Sequence, residues 1–302
     1  MICQKCNDNV PDRNGRCPYC GTPLGTQATT QRATPVPGRN ALGIPTLTFN
    51  ANGVGLTMVR VERGSFYRGI SLEALKEEIS QGTDWRKDYP LVTLETYYIS
   101  ETLLTQEQWE AVMPDNDNNI AYWDDKKGIY NPSSFKGMDL PVNGIDLHSA
   151  NQFINKLNSI TGWVFDLPTN DEWEFAARGG NLSKGYKYAG SDNINEVAWH
   201  RGNSSVRKLV WKGLFPQQER RWLPHPVKTK LPNELGLYDM SGNVSDLCRR
   251  HRMFSADIRG GSFEDDAQNC ETANLYSEYK PENIGCHIVL RTADNWILQV
   301  RR

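Results

Sequence analysis

The sequence has no apolar run approaching the roughly 20 residues needed to cross a bilayer. Its first residues, Met1-Ile2-Cys3-Gln4-Lys5-Cys6, lack the apolar core of a secretory leader. A cytoplasmic protein is therefore expected. Excess charge is also missing: 34 Lys and Arg against 36 Asp and Glu leave −2, with pI near 6.2. That balance gives no whole-chain attraction to a membrane or to nucleic acid, so neither is an expected partner. A disulfide framework is not expected either. The seven cysteines are odd in number, four crowded into the first twenty residues and three scattered late at Cys248, Cys270 and Cys286.

What is present is aromatic mass. Nine Trp, twelve Tyr and nine Phe in 302 residues suffice for the core of one large domain, or of two. Ahead of it, Cys3-x-x-Cys6 and Cys17-Pro18-Tyr19-Cys20-Gly21 form paired knuckles ten residues apart. Each loop lets two thiolates point at one tetrahedral zinc ion, and four thiolates leave no open position for chemistry. Residues 1–22 thus resemble the short zinc ribbons at the front of many prokaryotic proteins, with a structural metal. A redox role for the cysteine pairs has less support, because no thioredoxin-like strand–helix context follows. Residues 23–44 are rich in Thr, Gly, Pro and Ala and read as a flexible linker. The main domain then spans 45–302.

Within it, 56–61 and 92–99 alternate apolar and polar residues as half-buried strands do. Residues 71–81 read as a short amphipathic helix. Thr105, Asp146 and Thr169 each stand where a helix N-cap belongs, and Thr169 with Glu172 forms a capping box. The second helix stops at Gly162 and the third at Gly179-Gly180. Helical periodicity is lost beyond that point. The pattern is α+β and rich in coil. Late in the chain, Gly236-Leu237-Tyr238-Asp239-Met240-Ser241-Gly242-Asn243-Val244-Ser245-Asp246 is followed by Arg259-Gly260-Gly261-Ser262-Phe263. Asp239, Asn243 and Asp246 offer hard oxygen ligands, and the glycines permit unusual backbone geometry. Two readings stand: backbone wrapped round a cation, or a tight turn with Asx caps.

Several stretches together resemble the formylglycine-generating enzyme (sulfatase-modifying factor) family. They are Met58-Val59-x-Val61-x-x-Gly64-Ser65-Phe66, Pro141-Val142-Asn143-Gly144-Ile145, the run from Leu167 through Trp173 to Gly180, Pro226-Val227, and the two late stretches just quoted. The resemblance implies a coil-rich variant of the C-type-lectin fold held partly by calcium. It puts one calcium site on Asp239, Gly242, Val244 and Asp246. The family's aromatic-acidic-aromatic run is Ser245-Asp246-Leu247 here, the usual Glu shortened to Asp. A second calcium site would lie near Asn203, where an insertion obscures the match.

The family's oxidase uses two cysteines five positions apart to hold copper and engage a substrate cysteine. Counting from Gly260-Gly261-Ser262, these fall on Cys270 and Leu275. Leucine offers no thiolate to a soft ion, so copper is not expected and Cys270 is the one catalytic candidate. Cys286 falls in the family's Gly-Phe-Arg segment, here Gly285-Cys286-His287. The five histidines show no metal-ligand spacing and are read as surface or core residues. The function expected is therefore ligand or protein binding without copper oxidase activity. The alternative is a family oxidoreductase with altered active-site residues. In variable proteins of this domain type, retroelements diversify the segment that corresponds to 264–283. Here it supplies Asp265, Asp266, Asn269, Asn274, Tyr276 and Tyr279 as candidate contacts. A second candidate surface is the basic, aromatic insertion 206–222, with Trp211 and Trp222 as a docking loop for a protein or other macromolecule. Folding of those aromatics back over the core is the other reading.

Overall fold

The structure, a computed structural model, describes residues 32–113, 131–212, 215–250, 256–275 and 280–291. The ribbon cysteines Cys3, Cys6, Cys17 and Cys20, and also Tyr276 and Tyr279, lie outside the described residues.

The chain enters the fold earlier than its composition implies. β1 (Val36–Arg39) pairs antiparallel with β2 (Pro45–Ala51), so the end of the expected linker belongs to the sheet. Asn40 closes the connection. Its Oδ1 accepts from the N–H groups of Leu42 and Ile44, while Nδ2 donates to the carbonyl of Leu235. β3 (Val54–Val61) continues the meander. β4 (Gly64–Tyr67) then leaves it to pair with β5 (Leu91–Leu94) in a separate ribbon, with α1 (Leu72–Ser80) between them. β6 (Tyr97–Ser100) returns to lie beside β3. The single strand expected over 92–99 is therefore two strands in two sheets. Thr96 stands at the break, its hydroxyl accepting from Arg63 N–H at 3.1 Å.

α2 (Gln106–Val112), α3 (Leu147–Thr161), β7 (Phe165–Asp166) and α4 (Asn170–Ala177) follow. Each of these helices begins at its predicted cap, and all three close a capping box: Thr105 with Gln108, Asp146 with Ser149, Thr169 with Glu172. Gly162 ends α3 with φ 71°, left-handed backbone that glycine adopts freely. One helical turn, α5 (Ile194–Val197), lies in the stretch where none was expected. The rest is strand and coil: β8 (Ser205–Lys212), β9 (Phe215–Trp222), β10 (Ser245–Arg249), β11 (Ala256–Arg259), β12 (Ile284–Gly285) and β13 (Val289–Leu290).

The main sheet runs β1-β2-β3-β6-β13-β7, antiparallel throughout. Strand alternation sends Leu56, Met58, Tyr98 and Leu290 to one face, against Trp109 of α2 and Phe153 and Leu157 of α3. Val59, Val61, Tyr97, Ile99 and Val289 go to the other, against Trp173, Phe175, Leu237 and Met240. The central strands, expected to be half-buried, are thus covered on both sides. Trp109 and Phe153 stack at 4.9 Å and tie α2 to α3. A smaller sheet, β11-β10-β12, carries the residues of the candidate site.

Candidate functional site

The late loop of residues 236–246 is built around backbone that only certain residues tolerate. Asp239 (φ 57°) and Asn243 (φ 60°) are both left-handed, a region that Asn and Asp enter more readily than other side chains. Gly242 (φ 73°) has no room for a side chain, since a Cβ would overlap the carbonyl of Trp199. Asn243 is the hub. Its N–H donates to Trp199 O, its carbonyl accepts from Phe263 N–H, and its side chain exchanges two hydrogen bonds with the backbone of His225. Asn243 Nδ2 also reaches Asp239 Oδ1 at 3.1 Å, while Asp239 Oδ2 accepts from Lys228 N–H at 3.0 Å. Burial holds the Asp239 carboxyl above its ordinary range, partly offset by those donors.

Asp246 is engaged differently. Its Oδ1 accepts from His287 N–H at 2.5 Å, its Oδ2 from Trp173 Nε1 at 2.7 Å, and His287 Nδ1 lies 2.9 Å from both oxygens. His287 Nε2 faces the carbonyl of Tyr238 at 3.2 Å. Both ring nitrogens thus face oxygen atoms of the chain. Asp246, one of the four expected calcium ligands, already accepts from three N–H donors, and a cation there would compete with them. The position that the resemblance gives to a long acid and an arginine holds a short acid and a histidine in contact. Of the five histidines read as surface or core residues, His287 is a buried one with hydrogen-bond partners, though the sequence reading does not include its pairing with Asp246. The available signal was the pair of departures, Glu to Asp at 246 and Arg to His at 287, within one family pattern.

Cys270 is fully buried. Its Sγ lies against Gly261, where even a Cβ would come within 2.9 Å, and faces Asp266 O at 3.8 Å. Burial first, then the carboxylates of Asp265 and Asp266, push the thiol well above its ordinary 9.0. Leu275, at the second cysteine position, is half-exposed and offers no sulfur. Cys248 and Cys286 are buried too, and burial raises both thiols. Burial therefore disfavours the thiolate, the reactive form, at all three described cysteines.

The segment after Gly261 is a braced frame. Asp265 is a correction to the expected contact set: it is buried, and its Oδ2 accepts from both the N–H (2.9 Å) and the hydroxyl (2.6 Å) of Ser262. Asn283, also buried, donates to Glu264 Oε2 at 3.1 Å. The buried Arg259 donates to Glu174 Oε2 of α4 and to Thr272 O, and lies over the Trp173 ring. Against this frame Asp266 is exposed, and Asn269 and Asn274 are half-buried. The insertion 206–222 is the β8–β9 hairpin. Trp222 folds back on the domain, its Nε1 donating to Arg201 O at 2.9 Å beneath the Arg201 guanidinium. Trp211 does not; it stands 72% exposed. The two tryptophans paired as candidates thus have separate roles. Among the described residues no group of three or more His, Cys, Asp or Glu is arranged to hold a metal.

A two-faced sheet, with α2 and α3 on one face and α4 and the coil around Leu237 and Met240 on the other, defines a mixed α/β scaffold. The chain belongs to the Sulfatase-modifying factor enzyme 1-like domain family, with residues 47–295 matched. It is 35% identical over 176 residues to "Chaperone protein LppX" of Paenibacillus barcinonensis, covering 52% of this chain and 63% of that protein. It is 38% identical over 86 residues to the formylglycine-generating enzyme of Streptomyces coelicolor, covering 27% of this chain and 25% of the enzyme. The chain thus spans less than two thirds of either relative. Among solved structures, "Treponema denticola variable protein 1" superposes with TM-score 0.59 at 22% identity, covering 81% of this chain and 98% of the other. The described domain therefore has the formylglycine-generating-enzyme, C-type-lectin-like fold that the resemblance implied.

Proposed function

We propose that this protein is a ligand- or protein-binding module on the family scaffold, without copper oxidase chemistry. The observation that carries the reading is Cys270. It is the one thiol at a family catalytic position, it is fully buried with burial raising the thiol above its ordinary range, and Leu275 stands where its partner would be. A copper(I) site needs soft thiolate ligands within reach of a substrate cysteine, and this position provides neither. The ligand surface is the outward side of the braced segment, centred on Asp266, Asn269 and Asn274, with Tyr276 and Tyr279 following in sequence. Tyrosine and small polar residues on a rigid support make adaptable contacts at low ordering cost. In this reading the segment is the one retroelements diversify in variable proteins of this domain type. The printed name of the Paenibacillus relative, a chaperone protein, agrees with a protein as ligand. In the same proposal Cys3, Cys6, Cys17 and Cys20 hold one structural zinc, and the protein works in the cytoplasm. The test is turnover of a cysteine-containing peptide by the full-length protein supplied with copper and oxygen. No aldehyde above the enzyme-free control is expected. Catalytic aldehyde formation abolished by Cys270→Ser would overturn the reading.

A further inference from the structure

The β8–β9 hairpin takes no part in that surface. Its strands pair only with each other, in register from Ser205 opposite Trp222 to Lys212 opposite Phe215. A two-stranded ribbon with no buried face is marginally stable by itself. This one is firm at its root, where Ser204 Oγ donates to Phe263 O, Leu223 N–H donates to Ser204 O, and Trp222 is held by Arg201.

Beyond the root, its polarity runs along the ribbon rather than across it. Opposed residues share a face and successive pairs alternate faces. Trp211 (opposite Pro216) and Phe215 (opposite Lys212) therefore lie on opposite faces of the outer end, each 72% exposed. Leu209, exposed as well, stands one pair inward on the Trp211 face. Behind them, Arg207 stands directly opposite Arg220, a like-charge pair that opposes ribbon formation. Neither guanidinium has a hydrogen bond or ion pair with a described residue. Lys208 and Arg221 flank them on the other face, with Glu219 the one acid. Residues 206–222 hold five cations and one anion, so 5 − 1 = +4, which leaves −2 − 4 = −6 for the rest of the chain. Whole-chain charge averages this contrast away.

A groove-binding or peptide-binding face would be apolar on one side. Apolar groups on both sides of a tip, with a cationic collar behind, fit insertion end-first into a layered medium. We propose that the β8–β9 hairpin docks outer end first on an anionic lipid surface. Trp211 and Phe215 enter the headgroup–acyl boundary, where amphipathic aromatic rings are favoured. Arg207, Arg220, Lys208 and Arg221 meet the anionic headgroups. The spacing agrees: four residues from Trp211 to Arg207 span roughly 13 Å, against an interfacial burial depth of about 5–10 Å for the apolar part. The remaining −6 keeps the rest of the molecule away from the surface, so the domain is held upright with its braced surface free. This goes beyond the proposed function and does not rest on it.

The experiment is co-sedimentation of the full-length protein with phosphatidylcholine vesicles and with vesicles that also contain phosphatidylserine. Two double variants accompany the wild type, W211A/F215A and R207Q/R220Q. All four side chains are solvent-facing, and thermal unfolding of each variant is compared with wild type first, to check that both fold. Wild type is expected to bind the phosphatidylserine vesicles, more weakly as salt rises. Each double variant is expected to lose about tenfold or more in partitioning, and Trp emission to shift to the blue on binding in wild type but not in W211A/F215A. Wild-type partitioning that is absent, or unchanged in both variants, would overturn the proposal. So would tight binding of soluble poly-glutamate that requires Trp211 and Phe215 and is indifferent to lipid, which would assign the hairpin to an acidic protein.

Discussion

A buried carboxylate is costly until its lone pairs are met, and Asp246 meets them entirely from within the chain. His287→Ala removes the Nδ1 partner that lies 2.9 Å from both oxygens, while the backbone N–H of residue 287 and Trp173 Nε1 remain. The expected cost is about 1–3 kcal/mol, read as a lower urea midpoint. Because the same donors occupy the expected calcium ligand, calcium and chelator are expected to give the same midpoint. A rise with calcium would return a cation to Asp246. At Cys270 the expectation is kinetic: thiol reagents leave it unmodified in the folded protein and label it in urea. The identity of these residues was legible in the sequence, because Asp239, Asn243, Asp246 and Cys270 fall in quotable motifs. Their work was not. Whether an acid faces a cation or a histidine forty-one residues away depends on the pairing of β10 with β12, which no local pattern encodes.

Among elements, those whose signal is local were the readable ones. Thr105, Asp146 and Thr169 each meet their partner three residues on, so the caps appear in the sequence as they do in the fold. Thr105→Ala is expected to cost about 1 kcal/mol in denaturant unfolding. Trp109→Ala, which empties the α2–α3 contact, is expected to cost about 3–5 kcal/mol. The strands were read less well. β1 looks like linker because Val36-Pro37-Gly38-Arg39 has no alternation, and it is a strand only because β2 is there to pair with it. The run 92–99 alternates without interruption, yet Glu95 and Thr96 divide it between two sheets. Trp211 and Trp222 carry the same side chain in one insertion, and only the root contacts of Trp222 distinguish them.

For the whole molecule, pH response follows from groups fixed between elements. Burial alone would raise Glu172, but the hydrogen bonds and charge of Arg291, with the N–H and hydroxyl of Thr169, hold it below its ordinary 4.5. A carboxyl lowered on folding contributes stability above its unfolded value and loses it as pH falls through the folded value. Asp239, raised by burial, works in the opposite sense: protonation removes a cost as pH falls. Glu172→Gln is therefore expected to flatten the loss of stability between about pH 5 and 3, measured as urea midpoint against pH, and an unchanged slope would refute the assignment.

The most direct test of the central claim, a family scaffold used for binding rather than copper oxidation, is a competitive Cu(I) titration of the full-length protein beside Cys270→Ser. Any copper taken by Cys3, Cys6, Cys17 and Cys20 is common to both and cancels. Identical stoichiometry and affinity are predicted, since the buried thiol has no second thiolate beside it. Loss of one tight copper equivalent in Cys270→Ser would contradict the account and restore the oxidase.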